Sequence, residues 1–185
     1  MRFLDTDERA RLLDACKLSR NAALFPAVVL LLATGSRLME VMNLRWTDVD
    51  LDRFAITIRR SKNGDARRVT LAGDAVSVLR EWRMRDGTSC LPPALVFTAD
   101  RDPNKPADLR RAWATALKNA RVLDFRRHDL RHTTASALAA SGASLVTIGA
   151  VLGHRSPSAT SRYAHLAEND LREAVEKSAQ RNRTV

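Results

Sequence analysis

Phe54-Ala-Ile-Thr-Ile-Arg-Arg60, followed by Asn63-Gly64 and then Arg67-Arg-Val-Thr-Leu71, reads as a β-hairpin. Apolar and polar residues alternate along both arms, the period of a half-buried strand. Asn-Gly supplies the positive-φ positions of a tight hairpin turn. A two-residue turn there sets Lys62 opposite Asp65, Ile58 opposite Val69 and Ile56 opposite Leu71, gathering the apolar side chains on one face. The same register sets Arg60 against Arg67 and Arg59 against Arg68. Like charges facing across a ladder are destabilising. A bound phosphate backbone would relieve them, as would splaying of the long side chains into water.

Outward from the hairpin, the pattern turns helical. Thr6 followed by Asp7-Glu8 predicts a capped helix to about Ser19. Ala22 to Ala33 reads as a buried helix in which Pro26 is tolerable only near the first turn. Thr34-Gly35-Ser36 breaks it, and Arg37 to Leu44 begins another, with Leu44 and Trp46 read as core. Further helices are expected over Asp74–Arg85, Asp108–Arg121, Arg127–Ala140, Ser144–Leu152, Ser156–Leu166 and Asn169–Gln180, with Leu95-Val-Phe-Thr98 as a third strand. The expected fold class is α+β, mainly α-helical with a small antiparallel β-sheet. The length of 185 residues, without repeats, low-complexity tracts or linkers, predicts one domain over 1–185.

The formal net charge is +10, and its distribution matters more than its size. Residues 53–68 and 101–132 each carry a net +5, and the remainder is neutral. Concentration in two segments favours a polyanionic partner over a solubility surplus. Arginines 59, 60, 67, 68, 126 and 127 are the candidate phosphate contacts. Two cysteines exclude a disulfide scaffold and point to a reduced, cytoplasmic setting. The twelve-residue apolar run Ala22–Ala33 is too short to span a bilayer.

All four histidines fall within residues 128–165. In His128-Asp-Leu-Arg131-His132, helical spacing puts His128, Arg131 and His132 on one face. An i, i+4 histidine pair also begins a helical zinc site, but that motif needs a glutamate where Asp129 stands. Downstream, Leu152-Gly-His154 precedes Tyr163, the one tyrosine of the chain. Alone, each feature has a structural reading: histidines at the edge of a core helix, a tyrosine used for packing.

Together these segments resemble the catalytic domain of tyrosine recombinases, the phage integrases and chromosome-dimer resolvases, over nearly the full length. The pieces stand in the family's order: Thr34-Gly-Ser-Arg37-Leu-Met-Glu40, Leu44-Arg-Trp-Thr-Asp-Val-Asp50, Lys62 at the hairpin tip, His128-Asp-Leu-Arg131-His-Thr, Leu152-Gly-His154 and Tyr163. The resemblance implies a DNA breaking-and-rejoining fold and a site-specific recombinase. Tyr163 would attack a phosphodiester to give a 3′-phosphotyrosyl intermediate, splitting one displacement into two. Arg37 and Arg131 would grip the non-bridging oxygens. His128 would be the general base or its orienter, Lys62 the proton donor to the leaving 5′-oxygen and His154 a second phosphate-binding histidine. Glu40 and His132 would support them.

With cations activating the phosphate, no metal or nucleotide cofactor is expected. The implied partners are double-stranded DNA and further copies of the chain, a tetramer on DNA, and no membrane. The family's N-terminal helical domain is not found in the sequence, so a fragment or a natural short variant is expected, in either case with weak, salt-sensitive DNA binding. The tail at 168–185, with a narrow apolar stripe from Leu171 through Ala174 and Val175 to position 178, could dock on its own domain or a neighbouring protomer. Two alternatives are a type IB topoisomerase-like nicking-closing enzyme, using the same residues without a second duplex, and a catalytically silent DNA-binding module.

Overall fold

The computed structural model describes residues 2–59, 66–85, 94–99, 102–154 and 156–164. Helices α1 (Thr6–Lys17), α2 (Leu24–Thr34) and α3 (Leu38–Met42) lead into strands β1 (Val49–Asp50), β2 (Ala55–Ile58) and β3 (Arg67–Thr70). Then follow α4 (Asp74–Arg85), β4 (Thr98–Ala99), β5 (Asp102–Pro106), α5 (Arg110–Ala120), α6 (Asp129–Ala140), α7 (Leu145–Leu152) and α8 (Pro157–Ser161). This is the expected mainly helical α+β arrangement. Among the described residues, no helix is long and apolar enough to cross a membrane.

Helix α2 is the hub. It is apolar all round, the signature of a helix enclosed by protein, and it packs against α1, α3, α4 and α6. Pro26 is its third residue, where an amide would have no intrahelical acceptor, so the missing N–H costs little. Leu44 and Trp46 are buried as expected. Helix α6 is pinned across α2 by the Thr134 hydroxyl, which donates to the Leu32 carbonyl at 2.9 Å.

Three local expectations are corrected. Asp5 rather than Thr6 caps α1: its carboxylate accepts from the Glu8 amide and Glu8 reaches back to the Asp5 amide. This box satisfies two orphan amides, and an ionised cap suits the positive end of the helix better than a hydroxyl. The third strand of the sheet is Val49–Asp50, not the 95–98 segment. Leu95 makes only an isolated bridge to Arg45, and Thr98–Ala99 starts a separate two-stranded sheet with β5. Finally, α8 ends at Ser161, so Tyr163 lies just beyond it. The tail at 168–185 lies outside the described residues.

The hairpin register differs too. Ile56 pairs with Val69, Thr57 with Arg68 and Ile58 with Arg67. A shift of two keeps every side chain on its face, so alternation cannot separate the two registers. Pairing is also fixed from outside the arms, by β1 against β2 and by the Leu71 amide on the Phe54 carbonyl. The arginines therefore do not face one another, and phosphate is not needed to relieve them. Instead Arg67 stands opposite the buried Ile58, on the core side of the sheet. The Asn63-Gly64 turn, Arg60 and Lys62 lie outside the described residues.

Candidate active site

Gly35 ends α2 with φ +59. A Cβ there would lie 2.5 Å from Leu152 and 3.3 Å from Thr134, so both conformation and close packing demand glycine. The turn delivers Arg37 to the start of α3, where Glu40 accepts from the Arg37 amide and guanidinium, each at 2.9 Å. The other face of Glu40 takes both terminal nitrogens of Arg67, at 3.2 and 2.8 Å. Burial alone would raise the Glu40 carboxyl, but the Arg67 pair and the Arg37 amide override it and hold it at about 2. Arg37 remains largely exposed, with its guanidinium at the surface of this anchored turn.

From α6, Arg131 points into the same corner. It is 4% exposed and donates to the Gly35 carbonyl at 2.6 Å. Burial and the Arg37 charge pull its pKa down to about 10, so at neutral pH it is still a cation, short of counter-charge. His128 and His132 meet edge to face with ring centres 5.1 Å apart. His132 Nδ1 lies 2.7 Å from the Tyr163 hydroxyl.

Tyr163 is buried in a small core with Ala135, Ala139, Ile148 and Leu152, separate from the α2 core. His154 stacks parallel to the Tyr163 ring, at 6.4 Å between centres, and its Nδ1 lies 2.7 Å from the Thr160 hydroxyl. Burial raises the Tyr163 phenol, while Arg131 and Arg162 act in the opposite direction.

The histidines share one electrostatic setting. Burial first, then Arg131, brings His154 down to about 4. His128 is lowered by desolvation and Arg131, and His132 by burial and His128. All three are thus neutral at pH 7. In the unfolded chain they protonate near 6.5, so below 6.5, and for His154 down to about 4, the unfolded state binds more protons and stability falls as pH falls. Glu40, ordinarily at 4.5, contributes fully above that value and loses its contribution as pH drops toward 2. Thermal melts across a buffer series should therefore show Tm declining from about pH 6.5 downward. His154→Asn should flatten the upper part of the decline, and an unchanged wild-type Tm down to pH 4 would contradict this.

The structure brings together Arg37, Glu40, Arg131, His132, His154 and Tyr163, with His128 beside His132. Lys62, expected to complete the set, is outside the described residues. Among the basic residues expected on DNA, Arg59, Arg68 and Arg126 are exposed; Arg68 pairs with the exposed Asp50, whereas Arg59 and Arg126 reach the buried carboxylates of Asp48 and Asp129. A pair exposed on both sides is worth at most about 1 kcal/mol, so phosphate can compete for the Arg68 guanidinium. Arg127 is half-buried.

Arg67 requires a correction. Its side chain is 17% exposed and Glu40's only 6%, and breaking a buried pair costs about 3–5 kcal/mol. It is therefore tied to Glu40 instead of being available to DNA. Sequence reasoning missed the Gly35 carbonyl, Thr160 and Arg162; a backbone acceptor, a lone hydroxyl and one more arginine carry no motif.

Residues 2–170 match the phage integrase family. The chain is 34% identical to the integrase of Salmonella phage P22, an alignment taking in 94% of this chain and 46% of that one. It spans about half the length of the curated relatives it matches. The crystal structure of XerA recombinase is similar with a TM-score of 0.79 at 28% identity, over 96% of this chain and 64% of that chain. The catalytic domain of bacteriophage HP1 integrase gives 0.72 at 26% identity, over 95% and 94%. The mainly helical body with its small sheet is thus the tyrosine recombinase catalytic-domain fold. Match, fold and clustered residues agree: the chain belongs to the phage integrase family.

Proposed function

We propose that this chain is the catalytic domain of a site-specific DNA recombinase whose nucleophile is Tyr163. One observation carries the reading: the only tyrosine sits with its hydroxyl 2.7 Å from a histidine nitrogen, within the field of the buried Arg131. A phenol is a poor nucleophile until a base takes its proton. Neutral His132, carrying its own proton on Nε2, accepts that proton on Nδ1. His128, which the resemblance suggested as the base, then acts as orienter of His132 through their edge-to-face contact.

The phenolate oxygen forms a bond to phosphorus as the bond to the 5′-oxygen breaks. Arg37 and Arg131 stabilise charge on the non-bridging oxygens. Thr160 donates to His154 Nδ1, leaving Nε2–H to face the phosphate. Lys62 keeps its role by resemblance, protonating the departing 5′-oxygen. Attack by a 5′-hydroxyl reverses the step, so the phosphotyrosyl link conserves the bond energy and neither metal nor nucleotide is called for.

Arg59, Arg60, Arg68, Arg126 and Arg127 serve the DNA backbone. Strand exchange joins two duplexes, so the working form is a homo-oligomer, a tetramer on double-stranded DNA, with the 168–185 tail available to link protomers.

The test mixes the protein with supercoiled plasmid and a pool of nicked duplexes in EDTA without ATP, quenched with SDS. A protein–DNA adduct is expected. His132→Ala should slow its formation about a hundredfold, with partial recovery at alkaline pH as the phenol ionises unaided; His128→Ala should cost less. DNA binding with no adduct on any substrate would overturn the nucleophile. A near-normal His132→Ala would overturn the base.

A further inference from the structure

We infer that Arg67 is a positioning residue, a clamp that locks the turn carrying Arg37 to the turn carrying His154. The inference rests on the reading of the site just given. Three independent observations converge on it.

First, the register puts Arg67 opposite Ile58, on the buried face of the hairpin, so its side chain runs inward under the site. Second, its forked end takes both oxygens of Glu40, and Glu40 is the residue that fixes the Arg37 amide and side chain. Third, its Nε, Cδ and Cζ press on Gly153: a Cβ there would fall 2.6–2.8 Å from them. Gly153 is the αL cap of α7, with φ +69, and immediately precedes His154. The buried Arg67 Nε has no hydrogen-bond partner among the described residues, as expected for a guanidinium lying flat on a backbone surface instead of reaching toward solvent.

Arg67 thus touches two phosphate-gripping turns that come from distant parts of the chain, without being one of the gripping groups. A cation in this place has a second effect, since its charge acts on Arg131 along with those of Arg37 and Glu40. Lysine cannot substitute, because a point charge does not span both carboxylate oxygens while lying flat on a glycine.

The experiment compares wild type, Arg67→Lys, Arg67→Gln and the charge-neutral double variant Glu40→Gln/Arg67→Gln, which removes the unpaired buried carboxylate that burdens the single variant. DNA affinity, adduct rate at saturating DNA and the NMR signals of the Gly153 amide and His154 ring in free protein are measured together. The clamp predicts affinity within about twofold, an adduct rate lowered about tenfold to a hundredfold through misplacement, shifted Gly153 and His154 signals, and no rescue by lysine.

A lowered affinity with a salt slope reduced by about one, at an unchanged saturated rate, would make Arg67 an ordinary phosphate contact and overturn the clamp. So would unmoved Gly153 and His154 signals. Were wild type to form no adduct while those signals shifted as expected, the recombinase reading would fail and the clamp would stand.

Discussion

Replacing Tyr163 with phenylalanine is expected to abolish the covalent protein–DNA adduct while leaving DNA affinity within about twofold of wild type. The substitution removes one atom from a side chain that is 1% exposed. Phenylalanine keeps the ring packed against Ala135, Ile148 and Leu152 and parallel to His154, so the fold loses only the hydrogen bond to His132. A lost bond of that kind costs about 0.5–1.5 kcal/mol, whereas alanine would open a cavity costing about 3–5 kcal/mol and confuse chemistry with unfolding.

Affinity is spared because phosphate attraction comes from the guanidiniums, not the phenol. Since the chain has no second tyrosine, no neighbouring phenol can take over. SDS gels of the quenched reaction, with melting curves of both proteins, give the answer. An adduct formed by the Tyr163→Phe protein would place the nucleophile on another side chain and end the mechanism.

Helices were legible in the sequence because their signals are redundant. Helix α2 announces itself by an unbroken apolar run, α7 by an N-cap serine and a terminal glycine. Pattern gives parity, however, and not position. The hairpin alternation fits two registers equally, and contacts from outside the arms, β1 on β2 and the Leu71 amide on the Phe54 carbonyl, select between them. In either register Arg67 lies on the face of Ile56 and Ile58; what the alternation does not show is the buried Glu40 that meets it there. Strand β1, two residues long, is too short to display any period.

At the site, residue types and order named most of the members, but not the bonds between them. Helical spacing puts His128 and His132 on one face. Which of them meets a hydroxyl 31 residues away depends on how α6, α7 and α8 pack. Thr160 and the Gly35 carbonyl contribute through a hydroxyl and a backbone oxygen, groups that occur throughout the chain and become significant only by location.

Arg131→Lys is expected to lower the adduct rate about a hundredfold to a thousandfold, the loss that follows removal of one preorganised donor to a developing oxyanion, even though the charge is retained. The guanidinium is held from below: one nitrogen donates to the Gly35 carbonyl at 2.6 Å, and the α6 backbone is tied to α2 through Thr134. The fork is thereby aimed without needing substrate to orient it. An ammonium can satisfy Gly35 or the phosphate with good geometry, but not both along the same directions.

The electrostatics point the same way. Burial and the Arg37 charge both weaken the hold of Arg131 on its proton, bringing it to about 10. This pair of like charges is therefore under repulsion until an anion arrives. A tetrahedral anion that binds the folded protein raises its stability by mass action, so inorganic phosphate should raise the wild-type Tm, with a much smaller increase in Arg131→Lys. Single-turnover adduct rates at saturating DNA, read beside phosphate-dependent melts, test both halves. A lysine variant that cleaves within about threefold of wild type would mean that charge alone suffices. Equal phosphate stabilisation in the two proteins would mean that the anion binds elsewhere.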